Sequence, residues 1–247
     1  MKDFQSQNQR FERQQGWHQQ QPGAWGSYGV ETAARASVEE RMGFVRKVYA
    51  LFFAATLFAV GGVLLGLSYE PLLRFAYEHP WVMFFAMIGG VLGAQAVRHV
   101  RGLNLVALFG FTALTGVVIS PLIAVIRQVN PGSIPAAGLL TVGIFGGLTA
   151  YVFASKKDFS FMRGMLTTGL IVVILAGVVN IFLGASALGF AVAAATLLLF
   201  SGFVLYDTSN IIRRYPVNEY VAGALDLYLD AFNIFLALLR ILNSGRR

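Results

Sequence analysis

Cysteine is absent from this 247-residue chain, which removes disulfides, thiol redox chemistry and cysteine-ligated metals together. Histidine is nearly absent: His18, His79 and His99 are scattered, with no partner at helical spacing. No histidine-based metal motif or nucleophilic triad can be built from them. Charge is scarce, at 13% of residues where an average soluble protein carries about 25%. The net charge of +7 raises the question of nucleic acid. However, the basic residues gather at the ends of apolar runs and form no basic face, so no nucleic-acid partner is expected.

What is present is hydrophobic sequence, 56% of the chain, and it is unevenly placed. Residues 1–40 are a separate world. QSQNQRFERQQGWHQQQPGAWGSYG is rich in Gln, carries isolated aromatics and has no apolar period, so a disordered arm is expected there. No apolar h-region follows its few basic residues, which argues against a cleavable signal peptide. Residues 41–247 form the second region, an all-α transmembrane domain. Apolar runs at about 44–67, 81–97, 103–126, 136–154, 165–183, 187–206 and 220–242 each approach the ~20 residues that cross a ~30 Å hydrocarbon core as helix. Seven helices packed as a bundle satisfy their backbone groups internally, as lipid requires. Glycines such as Gly61, Gly62, Gly89, Gly90, Gly93, Gly143, Gly146 and Gly147 would let those helices approach closely. The break between the fifth and sixth runs, at Leu183–Ala187, is uncharged and rests on Gly184 and Ser186.

Orientation follows from the short connections. With the N-terminus in the cytoplasm, the inner segments hold Arg41, Arg46 and Lys47, then Arg98 and Arg101, then Lys156, Lys157 and Arg163, then Arg213 and Arg214. The outer segments hold Arg74, offset by Glu70 and Glu78, and Arg127. The positive-inside rule selects this arrangement, although it leaves Arg246 and Arg247 outside.

Three aspartates stand out against this background. A carboxylate at mid-membrane costs roughly 2.5–3.5 kcal/mol on insertion scales, so intramembrane aspartates are functional candidates by default. At about 100° per residue, Asp226, Asp230, Asn233, Ala237 and Arg240 fall within about an 80° stripe of the last helix, whose other faces are apolar. One polar seam on an otherwise apolar helix points into a bundle. Asp207 ends the sixth run in LYDTSN, roughly ten residues from the loop centre, and Asp230 lies about as far on the other side. The two are expected at similar depth on antiparallel neighbours, as a carboxylate pair. Such a pair shares one proton in a dry site. It suits proton sensing, cation binding with Asp207 and Asp230 as metal-ligating oxygens, or aspartyl hydrolysis. Asp226 and Asn233 would line an ion path, and Arg98 or Arg101 could latch the pair. No cofactor is expected, and the implied partners are the bilayer and a cation. An intramembrane protease needs glycine beside its second aspartate, and the nearest before Asp230 is Gly223. The chain is therefore not expected to be an enzyme.

From about Met42 to Arg240 the chain resembles the Bax inhibitor (transmembrane Bax-inhibitor-motif) family of multi-spanning membrane proteins. SGFVLYDTSNII and ALDLYLDAFNIFLALLRIL look like its last two helices. FGGLTAYVFASKKDFSFM, from Phe145, looks like its fourth helix end and following loop, and NLVALFGFTALTGVVISPLI, from Asn104, like its third helix. The resemblance implies seven transmembrane helices, six surrounding a central C-terminal one, and a pH-sensitive calcium leak. It places the family's gating dyad on Asp207 and Asp230, with calcium as the permeant ion. The KKDFSFM loop looks most like bacterial relatives, which implies a cell inner membrane. A membrane-embedded regulator acting by binding partner proteins is the alternative function.

Overall fold

The computed structural model describes residues 37–244. Nearly all of the arm expected over residues 1–40 lies outside them, as do Arg246 and Arg247. Ser37 starts the first helix. Its hydroxyl accepts from the Glu40 amide at 3.2 Å while the Glu40 carboxylate accepts from the Ser37 amide at 3.0 Å, a reciprocal capping box. Helix α1 then runs Val38–Ser68, and α2, Glu70–Glu78, follows after one residue. The remaining helices are α3 (Pro80–Ala96), α4 (Leu103–Val129), α5 (Ser133–Ser155), α6 (Arg163–Leu183), α7 (Ser186–Arg213) and α8 (Tyr220–Ser244). A 3-10 turn at Ser160–Met162 leads into α6, and no β-strand occurs among the described residues.

Each apolar run in the sequence coincides with one helix, and the differences have physical causes. Helix α2 lies between the first two runs. It is short and polar, carries Pro71 in its first turn and is closed by the Arg74–Glu78 pair at 2.8 Å, so apolar periodicity carried no trace of it. Helix α7 continues to Arg213, past the expected end at residue 206. Thr208, Ser209 and Asn210, the polar segment beyond that expected end, are all buried. The break between α6 and α7 falls on Gly184, whose φ of 60° is the left-handed conformation that ends helices and favours glycine.

Five of the described segments are long and apolar enough to cross a membrane: α1, α4, α5, Ser160–Leu183 and α7. Helix α3 is apolar but shorter. Their outward side chains are overwhelmingly hydrophobic; Phe182 is 82% exposed and Leu198 75%. A surface of this kind is stable against lipid and not against water. The protein is thus a multi-pass, all-helical membrane protein. Polar burial is inside: Thr112, Thr115, Ser120, Thr208 and Asp230 lie among the core residues.

Helix α8 is the most thoroughly buried element, with Leu227, Ile234 and Ala224 fully enclosed. Its main neighbours are α1, α4, α5 and α7, while α3 packs chiefly on α4 and α6 on α7. The Thr115 and Tyr228 hydroxyls bond each other and tie α8 to α4. Helices α1 and α4 form the largest contact, made by a reciprocal pair of glycines. A Cβ on Gly62 would strike the Ala113 backbone, and one on Gly116 the backbone of Ala59 and Val63. Of the glycines singled out in the sequence, Gly62 and Gly90 meet a neighbour. Gly61, Gly89, Gly93, Gly143, Gly146 and Gly147 face open space. Pro121 interrupts α4 and frees the Val117 carbonyl, which the Ser120 hydroxyl satisfies at 2.8 Å.

Candidate functional site

The α7–α8 connection, residues 214–219, folds the two helices back on each other and sets their register. Asp207 and Asp230 meet side chain to side chain. Asp230 is 3% exposed and its Oδ2 is buried without a hydrogen-bond partner among the described residues. Asp207 is half-buried, and the Asn210 side chain, one turn along α7, bonds it. Asn210 in turn accepts from the Arg214 guanidinium at 3.3 Å.

Asp226 stands one turn closer to the connection and is half-buried. Sequence reasoning placed it on the ion path and outside the pair. In the fold its charge reaches both Asp207 and Asp230, making a three-carboxylate cluster. It accepts a hydrogen bond from the Tyr215 hydroxyl and has the Gln95 side chain beside it. Tyr215 lies in the connection, outside the helices. Burial first, and then the Asp226 charge, push its phenol above its ordinary value, so it stays a donor. Arg98 faces this side of the cluster: its charge acts on Asp226 and Tyr215, and its guanidinium bonds Gln95 at 3.4 Å. Arg101 is exposed in the turn after α3.

Asn233 lies three residues beyond Asp230, about 4.5 Å along the axis, and donates to the Leu229 carbonyl at 2.8 Å. It marks the floor of an open cavity of about 950 Å³, walled by α4, α6, α7 and α8. Asn130, Asn180, Thr196, Arg240 and Asn243 are among the polar side chains of a lining that is otherwise mostly apolar. Away from the cavity, the connections after α3, α5 and α7 meet on one face. His99 and Glu219 approach to 3.1 Å, Arg214 and Asp158 to 2.7 Å, and the Arg213 guanidinium bonds the Lys156 carbonyl. The start of α1 is on that face too, with the Lys47 ammonium 5.5 Å from the Tyr220 ring centre.

Several partners escaped sequence reasoning. Tyr215 and Gln95 belong to the cluster, and a separate trio of hydroxyls, Tyr49, Thr149 and Thr208, gathers beside α7. Only the YDTSN context hinted at Thr208, and nothing in a single sequence fixes how α1 and α5 rotate toward it. Among the described residues no cluster of three or more His, Cys, Asp or Glu has metal-holding geometry. A cation at Asp207 and Asp230 would have to take its remaining oxygens from hydroxyls, amides, backbone or water.

Comparison with known proteins agrees with this architecture. Residues 41–247 match the family model described as inhibitor of apoptosis-promoting Bax1. Protein lifeguard 4 of Mus musculus is 34% identical over 221 residues, 88% of this chain and 91% of the relative. The Golgi anti-apoptotic protein of Vaccinia virus (strain Lister) is 33% identical over 224 residues, 90% and 93% of the two chains. A Vibrio cholerae membrane protein is 40% identical over 163 residues, 65% of this chain and 69% of its own. With the family model spanning all but the N-terminal arm, this chain belongs to the Bax inhibitor family.

Proposed function

We propose that the protein is a pH-sensitive leak channel for calcium, gated by the Asp207–Asp230 pair. The observation that carries this reading is the contact of those carboxyls in the bundle interior, one turn from Asn233 in the wall of an open cavity. Two carboxylates at contact repel by about 4 kcal/mol at 4 Å and an effective dielectric of 20, whereas one shared proton removes the repulsion. Protonated, the pair closes α7 on α8. Deprotonated, it parts or draws in a cation, and the row Asp226–Asp230–Asn233 carries that cation between the loop face and the cavity. Arg98, beside Asp226, is the latch candidate that the geometry favours over exposed Arg101.

In this reading seven segments span the bilayer, α8 being the central one, and the N-terminus is cytoplasmic in a bacterial inner membrane. The gathering of Arg98, Lys156, Arg213 and Arg214 on one face supports the orientation. The chain acts without a cofactor and is not an enzyme, since Asp230 lacks the neighbouring glycine of an intramembrane protease. The test is calcium flux into liposomes as a function of pH. Flux should rise with pH in the wild type and lose its pH dependence in Asp207→Asn and Asp230→Asn. Unchanged, pH-independent flux in all three would overturn the reading.

The relatives' names favour a second reading, a membrane-embedded regulator that binds partner proteins. Deleting residues 1–36 separates the two: lost regulation with intact flux points to partner binding.

A further inference from the structure

Three helices end around one groove on the face where the basic connections meet. Helix α1 enters there, α5 ends there and α7 ends there. The groove is open, holds about 470 Å³, and every charged side chain along it is a cation: Arg41, Lys156 and Arg213. Its walls are otherwise apolar, including Val45 and Val152, which are buried, and Phe153, which is 42% exposed at the lip. Of the acids nearby, Glu39 is exposed in the first turn of α1, outside the groove lining, and the other two are engaged. Glu40 closes the capping box with Ser37, and Asp158 pairs with Arg214 at 2.7 Å, although its charge also reaches Arg213.

Lys156 is held there by its backbone. It alone of the non-glycine described residues has a positive φ, 54°, a conformation disfavoured by its Cβ. Its carbonyl accepts from the Arg213 guanidinium, so the α5 end and the α7 end are joined where both cations sit. A glycine would close α5 more easily. A lysine there adds a positive charge to the rim.

We propose that this groove is a binding site for one anionic phospholipid. Its phosphate lies among Arg41, Lys156 and Arg213, and the first part of an acyl chain lies along Met42 and Phe153, the exposed apolar side chains of the groove. The combination selects the ligand. Cations at helix ends face the headgroup layer, and Met42 and Phe153 carry the apolar wall outward, so a headgroup and its chain are met by one surface. The inference is independent of the carboxylate pair.

Native mass spectrometry of the full-length protein, released from detergent with equimolar phosphatidylglycerol and phosphatidylcholine, tests it. The wild type should retain one phosphatidylglycerol in preference to phosphatidylcholine. Each of Arg41→Gln, Lys156→Gln and Arg213→Gln should lower that preference about five-fold, the effect of one cation at an anionic headgroup, and the triple variant should lose it. A control triple at exposed Arg46, Lys157 and Arg163 should keep it. Equal loss in the control would reduce the effect to general surface charge and overturn the proposal. So would displacement of the lipid by millimolar inorganic phosphate, which would mark a phosphate site. As a check that needs no variant, phosphatidylglycerol should raise the wild-type Tm and saturate near one equivalent. A rise that never saturates overturns a single site.

Discussion

Asp207 and Asp230 come from different helices and touch, and the buried one leaves an oxygen without a donor. That relationship binds the two protonation states to one another: neither carboxyl can change charge without altering the field on its partner. The infrared band of a protonated carboxyl reads this directly. In the wild type one such band should be shared by the pair and fade as pH rises. Either single Asp→Asn substitution should abolish the shared signal and leave an ordinary carboxylate. Two bands titrating independently, each removed by its own variant, would show that the side chains do not share a proton.

Tyr215 should set where on the pH scale the cluster responds. Its hydroxyl donates to Asp226, and a donor stabilises the ionised carboxylate. Hydrogen bonds to charged groups contribute about 1.5–3 kcal/mol, so Tyr215→Phe removes support of that order from a charged Asp226. A less charged Asp226 repels Asp207 and Asp230 less, so the pH of half-maximal flux should move downward. An upward shift would place Asp226 itself at the gate, and no shift would mean that Arg98 and Gln95 alone hold Asp226.

These contacts show where one sequence is legible. Helix positions were readable because lipid demands long apolar runs, and each run coincides with a helix. The similar depth expected of Asp207 and Asp230 came from counting residues out from a short connection. Helix ends were less legible: polar Thr208 and Ser209 are buried, so composition misplaced the end of α7. The Tyr215–Asp226 bond and the Gln95 contact depend on how helices rotate about their axes, which hydrophobic periodicity cannot report when a helix is apolar nearly all round. The same reason hid Gly116, which does more for packing than most of the glycines that drew notice.

The α1–α4 contact offers a stability test with an internal control. At Gly116 an added methyl would strike the α1 backbone, which cannot give way as a flexible side chain would. At Gly110, on the same helix, nothing lies within 4 Å. Gly116→Ala should therefore destabilise by at least about 1–3 kcal/mol, the usual range for overpacking. Gly110→Ala should be neutral or stabilising by up to about 1 kcal/mol through helix propensity. Thermal unfolding in detergent measures both. Equal effects would mean that α1 and α4 are not in backbone contact.

Outside the membrane segments, the Asp158–Arg214 pair gives a pH dependence separable from the dyad. The Ser160 amide, which donates to Asp158 at 2.9 Å, is the chief influence holding that carboxyl below its usual range, and Arg214 and Arg213 add to it. Both partners are nearly half exposed, at 47% and 44%, so the pair is worth at most about 1 kcal/mol. A folded-state pKa below the unfolded value of about 3.9 contributes stability that is present above that value. It is lost as pH falls through the folded one. Asp158→Asn keeps an oxygen to accept from the Ser160 amide and removes only the charge. Its Tm should therefore lie slightly below wild type at pH 7 and converge with it as the solution becomes strongly acidic. Raising the salt to about 1 M, where the Debye length is near 3 Å, should close most of the gap at pH 7 as well. A deficit that persists in acid and high salt would assign the effect to the turn geometry, with the ion pair contributing nothing.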